Sequence, residues 1–195
     1  MEIVKKVKVH STIFFDKIAS TQKPFGLRTY VTPLDKGDLV LKYNKGKGPY
    51  DSSLVETGRF MIPQWKVIIS CLTAEHAGQT DKDGRKKILS SLDILNPYEI
   101  CTETYMVVGS YNTEEESNNL YSYLRTRFVR FLISQLAATQ HLSKEKFAIV
   151  PNQDFSVNSD IDWSKSVKEI DAQLYAKYDL SDTEIAFIES MIKPM

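Results

Sequence analysis

The order of signals along this 195-residue chain predicts an α+β domain. Strand-like apolar runs are grouped before residue 112, capping signals and four-residue periodicity come after it, and the two kinds do not alternate as a doubly wound fold requires. The length suits a single domain with a real core. Residues 1–20 read as a helical lead-in, 21–150 as an α+β core with a mixed or antiparallel sheet, and 151–195 as a helical C-terminal extension.

Each element follows from local pattern. Residues 2–19 lack a clear period and read as short helical segments. Thr21 to Pro33 holds a proline turn. Asp38 to Tyr43 alternates Leu39, Leu41 and Tyr43 against Val40 and Lys42, which predicts a strand. Gly46, Gly48 and Pro49 make Asn44 to Asp51 a loop carrying exposed lysines. Lys66 to Leu72 is rich enough in β-formers to be a buried strand. Thr73 to Lys87 is polar and reads as a long loop with three consecutive cations, Arg85 to Lys87. Ile88 to Leu95 and Glu99 to Gly109 read as two strands broken at Asn96-Pro97.

Thr113-x-x-Glu116 is a capping-box pattern. Leu120, Leu124, Phe128, Leu132 and Leu136 recur every four residues behind it, which predicts one long helix with Arg125, Arg127 and Arg130 off the apolar stripe. Val167 to Tyr178 and Ser181 to Ile192 predict two more helices, the second opened by Ser181-x-x-Glu184.

Composition excludes little. Hydrophobic and charged contents of 42% and 26% are those of a soluble globular protein. No apolar run approaches the roughly 20 residues of a membrane span. Residues Met1 to Lys6 lack the apolar stretch of a secretion signal. Cys71 and Cys101 have no metal-ligand spacing and read as buried free thiols, which with the missing signal predicts a cytoplasmic protein. Net charge is zero, yet residues 1–50 carry ten Lys/Arg against four Asp/Glu, and residues 151–195 four against nine. A basic front and an acidic tail suit a module that meets nucleic acid on one side.

Lys23-Pro24-Phe25-Gly26-Leu27-Arg28-Thr29 is the most informative segment. A proline-initiated turn and a glycine place an arginine and a hydroxyl side by side, ready for a phosphate or a base edge. The segment resembles the start of the target recognition region of Type IIG restriction–modification adenine methyltransferases. Further stretches are similar to that region's middle and end: Trp65 to Ser70, Glu75 to Gly78, Glu99 to Tyr105, Gln140-His141, Phe147 to Pro151, Gln153 to Ser156, and Tyr175 to Ile188. Together they run from about residue 20 to residue 190.

The resemblance implies sequence-specific recognition of double-stranded DNA beside a methyltransferase domain or subunit. DNA contacts are then expected from Lys23, Phe25, Gly26, Arg28, Thr29, Lys66, His76, Arg85, Lys86, Thr102, Thr104, Gln140 and His141. For Arg28 and Thr29 a loop-stabilising ion pair is the alternative; for Lys23 and Lys66, a solvated lysine; for Thr102 and Thr104, a structural role on the strand face shared with Ile100. A third group, Arg125, Arg127 and Arg130, forms either a basic ridge or the outer face of a helix.

Catalytic motifs are missing from the chain. Asn96-Pro97-Tyr98 has one proline where an adenine methyltransferase has two, and the eight glycines assemble no phosphate or S-adenosylmethionine loop. Asp93 with Glu99-Ile100-Cys101 lacks the lysine of a metal-dependent nuclease motif. No serine sits in a nucleophile elbow. His10, His76 and His141 lack metal spacing. S-adenosylmethionine, and any Mg2+, are expected in a separate catalytic part, of which this chain is a fragment, a remnant or a specificity subunit. A protein-interaction module and a small nuclease with an unrecognised site are the alternatives.

Overall fold

A computed structural model describes residues 2–20, 22–71, 82, 84–86, 88–89, 91–136 and 142–195. The chain is α+β. It opens with helix α1 (Glu2–His10) and a 3-10 turn at Phe15–Lys17. Among the described residues, six strands follow: β1 (Leu39–Tyr43), β2 (Gly46–Tyr50), β3 (Trp65–Ser70), β4 (Leu92–Leu95), β5 (Glu99–Cys101) and β6 (Tyr105–Tyr111). Helices α2 (Glu114–Arg125), α3 (Arg127–Leu136), α4 (Val167–Lys177) and α5 (Asp182–Met191) complete it.

The strands form two three-stranded sheets, ordered β2-β1-β5 and β4-β3-β6. The second is antiparallel throughout. In the first, β1 runs antiparallel to β2 and parallel to β5. The sheets share one core, where Leu39, Leu41 and Ile100 meet Ile68, Leu95 and Val107. The far face of the second sheet carries Val67, Ile69, Met106 and Val108 against the helices, with Leu120, Leu124, Phe128 and Phe131. Strand β3 is therefore buried on both faces, with Val67 and Ile69 in one core and Ile68 in the other, and its register against β6 is irregular between Val67 and Ile68.

Four expectations are corrected. Residues 46–50, expected in a loop, form β2. Gly48 and Pro49 are poor strand formers, but β2 lies at a sheet edge, where a missing N–H costs nothing to the ladder. The strand expected from Ile88 is confined to Leu92–Leu95. The strand expected over Glu99–Gly109 is two strands in different sheets, and Thr102–Thr104 is the turn between them. The long helix breaks at Thr126, whose extended backbone ends α2 and whose hydroxyl oxygen accepts the Val129 N–H at 3.3 Å, capping α3. The apolar repeat continues across the break, so periodicity alone hides it.

The capping predictions hold at Thr113 and Ser181. Thr113 Oγ1 accepts the Glu116 N–H, and Ser181 and Glu184 form a complete box. Ser166 and Glu169 form another at α4. Cys71 and Cys101 are buried free thiols. Among the described residues, no helix is long and apolar enough to cross a membrane.

Candidate nucleic-acid interface

The Lys23–Thr29 segment is two successive turns fixed by an apolar anchor. Gly26 N–H donates to Lys23 O at 3.2 Å, closing a turn with Pro24 at its second position, where a fixed φ is favoured. Val31 N–H closes the next turn on Arg28 O at 3.0 Å. Phe25, within the first turn, and Leu27, between the two, are buried in the core between the sheets. Burial of a phenyl ring contributes roughly 2 kcal/mol, so Phe25 pins the segment to the domain. Arg28, Thr29 and Tyr30 are left exposed, Tyr30 at 82%.

Two glycines make the anchor possible. Gly26 has φ of 78° and Gly58 φ of 66°, conformations costly for other residues. Gly58 also passes so close beneath Pro24 that a Cβ there would lie 2.1 Å from the Pro24 carbonyl oxygen. Thr57 Oγ1 donates to the same oxygen at 3.4 Å.

The second motif meets the first. Strand β5 ends at Cys101, and the chain turns through Thr102–Thr104, closed by Tyr105 N–H on Thr102 O at 3.0 Å. Glu103 N–H donates to Leu27 O at 2.8 Å. The Glu103 carboxylate in return accepts the Thr29 N–H at 3.1 Å and the Thr29 hydroxyl at 3.4 Å. Its other oxygen lies 3.5 Å from Arg28 Nη1. Thr102 Oγ1 donates to Thr104 Oγ1 at 3.1 Å, and Thr102 N–H reaches Lys42 O at 3.2 Å. The alternation of Thr102 and Thr104 with Cys101 and Tyr105 predicts a strand and gives Glu103 no role in the interface; only the turn reveals it.

The expected contact residues divide. Arg28 and Thr29 come together on the surface, and Thr104 is half-buried in the turn that carries Glu103. Lys23 and Gly26 line an adjacent cleft of about 650 Å³ with Glu56, Thr57, Gly58 and the exposed ring of Phe60. Phe25 and Thr102 are corrected: both are completely buried and serve the scaffold.

Lys66 is corrected for a stronger reason. It is completely buried, and its ammonium donates to the carbonyls of Met61, Ile62, Gln64 and Asn96 at 2.6–3.2 Å. Burial pushes its pKa down to about 8, with Cys101 and Glu99 pulling upward. It ties the 61–64 connection to the exit of β4 and has no path to a phosphate.

Arg85 and Lys86 lie elsewhere. Lys86 N–H donates to Met191 O at 2.7 Å, and Lys193 N–H donates to Lys86 O at 3.2 Å, which joins this segment to the end of α5. His76, Gln140 and His141 lie outside the described residues. The arginine ridge does not form. Arg130 is buried and donates to the carbonyls of Arg125, Thr126 and Lys193, Arg127 pairs with Glu189 at 3.1 Å, and Arg125 lies over the Tyr121 ring.

Among the described residues, no three His, Cys, Asp or Glu side chains gather as a metal site. The surface end of the first sheet offers instead a guanidinium, a hydroxyl, an aromatic ring and a carboxylate on two interlocked turns. Comparison of the chain with family models, with curated proteins and with solved structures finds no match.

Proposed function

We propose that this chain reads the sequence of double-stranded DNA as the target recognition domain of a Type IIG-like restriction–modification adenine methyltransferase. The carrying observation is the interlock at Glu103: two segments that resemble the family's recognition region, 74 residues apart at this contact, meet and present Arg28, Thr29 and Tyr30 to solvent. Arg28 and Glu103 form an ion pair with the arginine side chain 54% exposed. Such pairs contribute about 0–1 kcal/mol, so exchange of the guanidinium onto guanine O6/N7 or a phosphate costs little. A carboxylate released at the same place can accept from cytosine N4. The chain positions the duplex, while methyl transfer to a flipped adenine belongs to a methyltransferase domain or subunit.

The test is selection from a random duplex pool by the purified chain at moderate salt, with the bound fraction sequenced. Enrichment of one short motif, lost in Arg28→Ala, supports the reading. Absence of binding at every salt concentration overturns DNA recognition and favours a protein partner for the Tyr30 surface.

A further inference from the structure

We infer that the β1–β2 hairpin tip is a second arm of this interface, with Lys45 as a phosphate contact flanking the base-reading Arg28–Thr29 turn. The inference rests on the DNA-binding reading above.

The topology places the two arms together. Strands β1 and β5 are parallel, with Lys42 opposite Cys101. They therefore leave the sheet at the same end, β1 into the Asn44-Lys45 connection to β2 and β5 into the Thr102–Thr104 turn. The Thr102 N–H to Lys42 O bond holds the two exits together. Neighbouring strands lie about 4.8 Å apart, and Lys45 sits between the ends of β1 and β2, so it stands one to two strand spacings, roughly 5–10 Å, from the turn of Glu103, to which Arg28 and Thr29 are docked. That separation is on the scale of the major groove, about 12 Å wide. One arm can meet base edges while the other meets the bordering phosphate backbone.

Charge distinguishes Lys45 from its neighbours. Lys42 is held by Asp93 at 2.9 Å and lies 5.3 Å from the Tyr105 ring centre. Lys47 reaches across the sheet to both oxygens of Glu99, at 2.8 and 2.9 Å. Lys45 is exposed and has no partner among the described residues. At this end of the sheet, Arg28, Lys42 and Lys47 each have a carboxylate, and the tip carries an uncompensated cation. Lys45 can neutralise a phosphate, and release the counterion condensed on it, without first breaking an ion pair.

The experiment compares the affinity of the whole chain for a duplex across a series of salt concentrations, for wild type, Lys45→Ala, Lys47→Ala and Arg28→Ala. Melting temperatures confirm that each variant folds. Lys45→Ala is expected to weaken binding several-fold at moderate salt for every sequence alike and to flatten the logarithmic salt slope by about one. Lys47→Ala is expected to change it less. An unchanged slope in Lys45→Ala, or equal losses from Lys45→Ala and Lys47→Ala, overturns the tip assignment while the DNA reading stands on Arg28→Ala. A change of sequence preference in Lys45→Ala also overturns it, by making the contact a base contact. Failure of the wild type to bind any duplex removes the DNA reading itself, and the inference with it.

Discussion

Asp171 closes the start of a helix 43 residues away: one of its carboxylate oxygens accepts the Phe128 N–H at 2.9 Å. The other accepts the Arg127 N–H at the same distance. Helix α3 thus receives its first-turn acceptors from α4 as well as from its own Thr126. Burial pushes the Asp171 pKa from 3.8 up to about 6, against the pull of these two N–H groups and of Arg130 and Arg127. Between those values the folded chain keeps a proton that the unfolded chain has released. The contribution of Asp171 to stability therefore falls as pH rises from 3.8 to about 6 and is level above. The span is on the order of 2–3 kcal/mol. Asp171→Asn removes this slope, and its deficit relative to wild type shrinks as pH rises. Urea midpoints measured from pH 4 to pH 7 check it; a wild-type and variant difference independent of pH contradicts it.

Lys66→Met keeps the length of the side chain and withdraws the donor from four carbonyls. A loss of about 2–4 kcal/mol is expected, from polar groups left unsatisfied in the interior. The folded fraction should keep the DNA affinity of the wild type, because the ammonium reaches no surface. Calorimetry and a binding titration well below the melting temperature separate the two effects. A loss of affinity with unchanged stability would return Lys66 to the interface.

Gly58→Ala and Gly26→Ala should differ. Both positions have positive φ, which costs about 1 kcal/mol for alanine. At Gly58 the new methyl would also collide with the Pro24 carbonyl, whereas at Gly26 its nearest neighbour is Glu56 Cβ at 3.1 Å. Gly58→Ala is expected to cost at least about 2 kcal/mol and to disturb the Pro24 turn. Gly26→Ala should cost about half as much. Thermal unfolding of the two variants provides the comparison, and equal costs would mean that the backbone at Gly58 moves freely.

Glu103→Ala removes the acceptor shared by Arg28 and Thr29. The stability cost is expected to be about 1 kcal/mol, because the ion pair is exposed and the remaining bonds belong to one turn. Its effect on DNA binding should be larger than its effect on stability, through loss of the fixed turn. A binding titration against the selected duplex and a denaturant titration measure the two. An effect confined to stability would reduce Glu103 to scaffold.

The sequence exposed the parts governed by neighbours in the chain. Thr113 and Ser181 announce their helices because a cap and its acceptor lie three residues apart. The proline turn at Pro24 and the β-branched run in β3 are local in the same sense. What stayed hidden depends on distant partners. The break at Thr126 is reinforced by Asp171, far along the chain. The parallel pairing of β1 with β5, and hence the place of the Thr102 turn, depends on residues about 60 positions apart. Lys66 looked like a surface lysine because its four acceptors are backbone carbonyls, which carry no side-chain signature. For the candidate interface, Arg28 and Thr29 were legible, whereas Glu103, Tyr30 and Lys45 acquired meaning only from the fold.

Strand β3 gives one flank to the space between the sheets and the other to the helices. A cut between the strand-rich front and the helical rear would strip an apolar wall from each half. The surface turns and the distant C-terminal helices therefore belong to one cooperative body. Loosening the rear of the molecule should be felt at the front, without any change to the residues that face a partner.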